Sequence, residues 1–344
     1  MKEDSNDALN VLFSSNDDFC PYLGVSLYSF LEHNHDEFEN INIFIFDDGI
    51  GDDNKDKLNQ ISKQFNQELS FIKVSDIQSR FGNEIHSMEK EGVSSLTTYS
   101  RLFTSSIIKD VDRLLYLDAD SLILGSFKEL WDIDLENYYI GAVEDLLSID
   151  VIKENIGMDS NQGYINAGFL LINLKKWRED KIEEKFLDFQ RKTQDKFIFH
   201  DQGIINGVCK DHILYLHPKY NLISIFHGIE YEKIIKLGGL TDYYDKETVE
   251  DAQENPIFVH FSGGDLNRPW FNRQQPYHEL YYEYVNKTPF KDQINVKKLP
   301  ISGVLFYRFY KSKILSVLLR LLPTGIAVKI ANKRVERQCE SMSK

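Results

Sequence analysis

RLLYLDADS, residues 113–121, is the stretch whose reading decides the fold. Leu114, Leu115, Tyr116 and Leu117 form a short apolar run that stops abruptly at Asp118-Ala119-Asp120. Such a run reads as a buried strand that delivers two carboxylates at its carboxyl end. In open α/β sheets that edge is where ligands bind. Taken alone, Asp-x-Asp reads better as an acidic turn, because Asp is a common turn residue. The surrounding chain decides between the two readings.

Upstream, apolar runs at 8–15, 41–47 and 69–74 alternate with helical spacing over 22–31 and 55–65. The segment 76–92 has no clear period and reads as a long loop of the kind that often serves as a lid. Helical spacing returns over 95–108. Downstream, strands are expected at 139–143, within 163–174, and at 213–216, 222–226 and 256–261. An amphipathic helix is expected over 177–193, a helix opening on Asp201 as N-cap, and another over 277–285. Strands alternating with helices argue for an α/β fold with a mostly parallel sheet.

The chain has 344 residues, 42% hydrophobic and 27% charged, enough for one large globular domain or two smaller ones. A net charge of -14 argues against a nucleic-acid partner. From Lys291 onward, however, twelve Lys/Arg stand against three Asp/Glu. A basic tail on an acidic protein points to an electrostatic partner of its own. Cys20, Cys209 and Cys339 are too few and scattered for a disulfide framework or a thiolate metal site, and fit a reducing compartment. The start, MKEDSNDALN, lacks the apolar core of a signal peptide, so a cytoplasmic location is expected.

Several expected strands end in polar loops: at Asn16–Asp18, at Asp118 and Asp120, at Asp145 and at His260. An α/β sheet gathers such loops. Two aspartates spaced i, i+2 can turn toward one divalent cation, and a distant His can complete the shell. Oxygen ligands with one imidazole suit Mn²⁺, or Mg²⁺ with phosphate oxygens filling the remaining positions. His260 alone would read as a strand histidine satisfied by backbone.

Six motifs in order, LNVLFSSNDDF, LTTYSRL, LLYLDAD, INAGFLLINLKKW, HDQGIIN and HFSGGDLNRPW, resemble the retaining glycosyltransferases of family 8. That family includes bacterial lipopolysaccharide and lipooligosaccharide galactosyl- and glucosyltransferases and glycogenin. The resemblance implies a GT-A fold, a Rossmann-like sheet with flanking helices and a nucleotide-sugar site at its carboxyl edge. It implies a UDP-sugar donor, a glycan or lipid-linked acceptor, and Mn²⁺ held by Asp118, Asp120 and His260. By the same resemblance Ser14, Asn16, Asp18 and Phe19 form the nucleoside loop, with Asn16 or Asp18 on the uracil or ribose and Phe19 stacked on the base. Ala119 lies between the metal-binding aspartates, and Arg101 lies near the diphosphate and sugar. Gly263 and Arg268 belong to the phosphate loop, and Asp145, Asn166, Ala167, Asp201 and Gln202 face the sugar. Gln202 is expected nearest the β face of the anomeric carbon.

The chain departs from the family pattern in places. Family members often carry Asp where Asn16 stands and Tyr where Phe19 stands. The loop HxxGxxKPW is here HFSGGDLNRPW, two residues longer and with Arg268 for Lys. Arg binds phosphate as a planar fork rather than a point charge. A common family sequence, DQDxLN, is here DQGIIN, so Gly203 replaces an acid. No carboxylate nucleophile is available there, which favours front-face substitution, with the departing phosphate oxygen taking the acceptor's proton. The alternative is a nucleotide-sugar-binding protein of the same fold without turnover.

The transferase domain is expected over 8–288 and a basic extension over 289–344. Within the extension, 301–322 reads as one amphipathic helix with Phe306, Tyr310, Ile314, Val317 and Leu321 on a single face. Arg308, Lys311, Lys313 and Arg320 lie off that face, and Lys329, Lys333, Arg334 and Arg337 follow. A basic amphipathic helix suits an anionic membrane surface, so peripheral attachment to the inner face of the cell membrane is expected.

Overall fold

The structure, a computed structural model, describes residues 8–76, 96–146, 150–193, 200–295, 299–330 and 333. In chain order the strands are β1 (Ala8–Asn16), β2 (Asn40–Asp48), β3 (Leu69–Lys73), β4 (Arg113–Leu117) and β5 (Ser121–Ile123). They continue as β6 (Ile140–Glu144), β7 (Ile165–Asn173), β8 (Ile213–Tyr215), β9 (Leu222–Ile223) and β10 (Phe258–His260). The main sheet has the order β3-β2-β1-β4-β7-β6-β8, and a small sheet has the order β5-β10-β9. In the main sheet only β7 runs against its neighbours, antiparallel to both β4 and β6. The order 3-2-1-4 reverses direction between β1 and β4, so their carboxyl ends flank a topological switch point.

The apolar runs are continuous because the sheet is covered on both faces. Leu9, Val11 and Phe13 of β1, Leu115 and Leu117 of β4, and Phe169 and Leu171 of β7 enter one core with Leu23, Leu27 and Phe30 of the helix Cys20–Asn34. Leu12, Leu114, Tyr116, Leu170 and Ile172 enter the other, with Trp177, Phe186 and Ile204. The two-residue period of a strand is therefore present but hidden, as in any sheet buried on both sides. Each large apolar side chain so buried contributes about 1.5–3 kcal/mol.

Several expected elements differ from those observed. The helix expected over 177–193 is two, Leu174–Glu179 and Ile182–Thr193, separated where Lys181 takes a positive φ of 53°. The helix expected to open on Asp201 spans His200–Cys209, so Asp201 sits in its first turn and not at its cap. The segment 95–108 is divided into Leu96–Ser100, a 3₁₀ turn at Arg101–Phe103, and Thr104–Ile107. Strand β5 and the helices Tyr231–Gly238 and Lys246–Glu254 were not foreseen. Of the expected lid loop all but Asp76 lies outside the described residues, as do Arg334, Arg337 and Cys339.

The tail also departs from one continuous helix. It forms Ile301–Lys311 and Lys313–Leu321, broken at Ser312, whose extended ψ of 149° turns the chain. The Ser312 hydroxyl then caps the second helix by accepting from the Leu315 N–H at 3.2 Å. Lys311, expected off the apolar face, turns inward and donates to the carbonyls of Ile225 and His227 at 2.9 and 2.7 Å. Burial, reinforced by nearby Lys233, lowers its pKa to about 8. Lys233 and Lys236 donate to the carbonyls of Ser312 and Leu322, and Arg320 pairs with Glu230 at 2.9 Å. Outward, Leu305, Phe306, Phe309, Ile314, Val317, Leu318 and Leu321 are exposed. Among the described residues no helix is long and apolar enough to cross a membrane.

Candidate active site

The carboxylates of Asp118 and Asp120 leave the sheet where β4 ends. The Asp118 N–H donates to the Gly168 carbonyl at 2.8 Å, extending the pairing with β7 by one residue. The chain then crosses into the small sheet as β5. There His260, the last residue of β10, lies opposite Ser121, and the Phe261 N–H donates to the Asp120 carbonyl at 2.9 Å. Strand register therefore brings a residue distant in sequence onto the aspartate pair. His260 Nε2 stands 3.5 Å from Asp118 Oδ2 and 3.4 Å from Asp120 Oδ1.

These three side chains fit a divalent cation. One ligand atom from each falls within 4.8 Å of the others. A Cβ on Gly168 would lie 2.2 Å from His260 Cε1 and 2.7 Å from Asp118 Oδ2, so the cluster occupies a space only glycine leaves open. The electrostatics favour positive charge at its centre. Burial alone would lower the His260 pKa, but the hydrogen bond to Asp120 and the charges of Asp120 and Asp118 raise it. Burial would raise that of Asp120, but His260 and Arg268 bring it down to about 2. Two carboxylates and one imidazole suit Mn²⁺, and Mg²⁺ is an alternative if phosphate supplies further oxygens.

A cleft of about 240 Å³ opens at the switch point, lined by Ser14, Asn16, Phe19, Arg101, Asp118, Ala119 and Asp120. Asn16 Oδ1 accepts from the Phe19 N–H at 2.9 Å and so holds the loop after β1. Asp18, expected in the same loop, is exposed and does not line the cleft. Arg268 reaches Asp120 Oδ2 at 3.3 Å and lies over the Phe19 ring at 5.7 Å. Its Nε is buried without a partner, an unspent donor beside the cluster.

Arg101 is buried and stacks 4.1 Å over the Tyr116 ring. It donates to the Ala167 carbonyl at 2.7 Å and approaches Asp118 Oδ1 at 3.2 Å and Asp201 Oδ2 at 2.9 Å. The Asp201 contact is an ion pair without a hydrogen bond, since its Oδ2 accepts none. Burial consequently outweighs the attraction of Arg101, and with the repulsion of Asp118 the Asp201 pKa is pushed up to about 6.

A second pocket, of about 380 Å³, adjoins the cluster and is lined by Asp145, Asn166, Gln202 and Gly263 on one side and by Ile225, Phe226 and the tail's Tyr310 on the other. Asn166 donates to Asp145 Oδ2 at 2.7 Å, and Gln202 does so at 3.2 Å. Gln202 Oε1 also accepts the Ala167 N–H at 3.0 Å, so its amide is held from two sides. Gly263 and Gly264 take positive φ of 89° and 94°, a turn that L side chains adopt only with strain. Of the residues that the sequence singles out, Asp18 stands apart from the cluster and both cavities, and Asp201, expected to face the sugar, is buried against Arg101 and does not line the pocket. Sequence reasoning missed Tyr116, which donates to Asp118 Oδ1 at 2.8 Å, and Asn221, which contacts His260 Nδ1 at 3.1 Å. Gly168 was visible within INAG but carried no stated role.

A mostly parallel sheet with an acidic cluster at its switch point and a polar pocket beside it defines a GT-A glycosyltransferase, the class of the solved structures that share this fold. The chain belongs to glycosyl transferase family 8, whose model matches residues 10–274. Its relatives include general stress protein A of Bacillus subtilis, 28% identical, covering 84% of this chain and 96% of that protein. Another is a lipopolysaccharide 1,2-glucosyltransferase of Escherichia coli, 26% identical over 78% of this chain and 75% of the relative. Among solved structures, the galactosyltransferase LgtC in complex with donor and acceptor sugar analogues superposes with a TM-score of 0.67 at 26% identity, covering 82% of this chain and 96% of that one.

Proposed function

We propose that this glycosyltransferase is a Mn²⁺-dependent, retaining enzyme that moves glucose or galactose from its UDP form to a hydroxyl of a cell-surface glycan precursor. That precursor is a lipopolysaccharide, a lipid-linked polysaccharide or a glycoprotein glycan. The observation that carries the reading is the convergence of Asp118, Asp120 and His260 beside the cleft lined by Ser14, Asn16, Phe19 and Arg101. The nucleoside belongs in that cleft, with Phe19 against the base and Arg268 toward the diphosphate. The cation, when bound, offsets the negative charge that develops on departing UDP.

The donor sugar belongs in the adjoining pocket. Asp145 and Asn166 accept or donate to its hydroxyls, and Gln202 faces the anomeric carbon. The bond from that carbon to the phosphate oxygen breaks, and a bond to the acceptor oxygen forms on the same face. The acceptor's proton goes to the departing phosphate oxygen. Gly203 supports this route over a covalent sugar-enzyme species, because it offers no carboxylate. The apolar wall of Ile225, Phe226 and Tyr310 supports entry of the acceptor from the side of the tail. We assign residues 8–288 to transfer and 289–344 to attachment at an anionic membrane surface.

Asp118→Asn is expected to reduce transfer by at least about 100-fold and to remove metal-dependent UDP binding, measured by UDP release and by calorimetry. Full activity in that variant would sink the assignment. A screen of sugar nucleotides for UDP release separates glucose from galactose. Donor that binds with Mn²⁺ but is neither transferred nor hydrolysed would instead favour a binding protein, and an inverted anomeric product by NMR would contradict retention.

A further inference from the structure

A buried chain of hydrogen bonds joins the sugar-side pocket to the metal cluster, and Asn221 is its central link. Asn221, Asn166, Asp145 and His260 are all below 10% exposed. The direction of each bond follows from its ends. The Gly168 N–H can only donate, and it meets Asn166 Oδ1 at 3.0 Å. Asp145 accepts from the other end of the same amide at 2.7 Å. The orientation of Asn166 is thereby set, and its oxygen must take its second hydrogen bond from Asn221 Nδ2, at 2.9 Å. That leaves Asn221 Oδ1 toward His260 Nδ1, at 3.1 Å. An amide oxygen cannot donate, so Nδ1 must carry a proton.

We propose that Asn221 is a positioning residue for the metal site: it holds His260 as the Nδ1–H tautomer, so that the lone pair of Nε2 faces Asp118 and Asp120. A ligating imidazole needs its other nitrogen fixed in this way, and loss of such a partner typically costs 10–100-fold in metal affinity. This rests on the proposed cation site and adds a residue to it. The same amide ties His260 through Asn166 to Asp145, so the metal ligand and the sugar-side carboxylate share one scaffold. Asn221 lies just before β9, whose parallel register with β10 sets Ile223 opposite His260. A small-sheet strand with no motif of its own thus brings the amide to the ring.

Two substitutions separate the roles. Asn221→Leu removes both acceptor and donor at similar size. Asn221→Asp keeps the acceptor toward Nδ1–H, loses the donor to Asn166 and sets a carboxylate oxygen against Asn166 Oδ1. Mn²⁺ binding would be read by EPR of the free ion, with melting temperature as a check on folding. We expect about 10–100-fold weaker binding in Asn221→Leu and a change below about 3-fold in Asn221→Asp. Equal binding by the leucine variant and wild type, or equal weakening in both variants, would overturn the proposal. ¹⁵N-histidine NMR of the wild-type protein with Mg²⁺ and UDP, with His260 assigned through His260→Gln, gives a readout that does not depend on the variants folding. Proton on Nδ1 supports the role, and proton on Nε2 overturns it. Wild-type protein that binds no Mn²⁺ counts against the cation site itself, whereas wild-type binding matched by Asn221→Leu counts against Asn221 alone.

Discussion

Gly168 shows how little freedom the centre of the site has. Adding one methyl there places it in van der Waals conflict with both His260 and Asp118. Overpacking of this kind costs about 1–3 kcal/mol, and here the strain falls on the ligating atoms. Gly168→Ala should keep the fold, with a modestly lower melting temperature, and lose metal-dependent UDP binding; unchanged binding by calorimetry would argue against the cluster. Asp201 supplies a pH-dependent test in the metal-free protein. Its folded pKa, about 6, lies above the ordinary aspartate value of 3.8. Its contribution to stability is therefore fully present below the lower value and lost as pH rises through the higher one. The wild type should lose about 1 kcal/mol of stability relative to Asp201→Asn between pH 5 and pH 8 in urea titrations. An equal difference at both pH values would show that burial does not control Asp201. The aspartate pair and His260 were legible in sequence because six ordered motifs gave them context. Asn221 was not, because a hydrogen bond set by tertiary position leaves no local pattern; Tyr116 stood two residues from Asp118 but read only as part of the apolar run.

Strands buried on both faces were the most legible elements, since β1, β4 and β7 each read as a compact, mostly apolar run. Strand β5 escaped because three residues hold too little pattern, although it is what carries the chain from Asp120 to the partner of His260. In the tail the apolar face was legible, but the break at Ser312 was not. The break lets Lys311 and Tyr307 turn into the protein while Phe306, Ile314 and Leu321 stay out. The outward face tests the proposed attachment: Phe306→Asp with Leu321→Asp should lower binding to vesicles containing phosphatidylglycerol by at least about 10-fold, because apolar burial and attraction to anionic lipid act together. UDP release should be retained, since neither side chain lines the cleft or the pocket. Undiminished vesicle sedimentation in that variant would remove the tail from membrane attachment. Lys311→Met should loosen the tail by about 1–3 kcal/mol, as two half-buried carbonyls lose their donor, seen as a lower melting temperature; an unchanged melting temperature would show that these bonds do not hold the tail.

At the scale of the whole molecule, two sheets meet at one cluster. The main sheet supplies Asp118 and the cleft at the switch point, and the small sheet supplies His260 with Asn221 just before its strand β9. The acidic body and basic tail divide the charge, so the protein as a whole repels polyanions while its tail attracts them. In the proposed function Asp118, Asp120 and His260 hold a divalent cation against the diphosphate of a UDP-sugar. Anomalous diffraction from crystals soaked with Mn²⁺ and UDP tests it most directly. The expected result is one strong manganese peak ligated by all three side chains and by diphosphate oxygens, with uracil against Phe19. A nucleotide bound in the cleft with no manganese at this cluster, or with manganese held elsewhere, would contradict it.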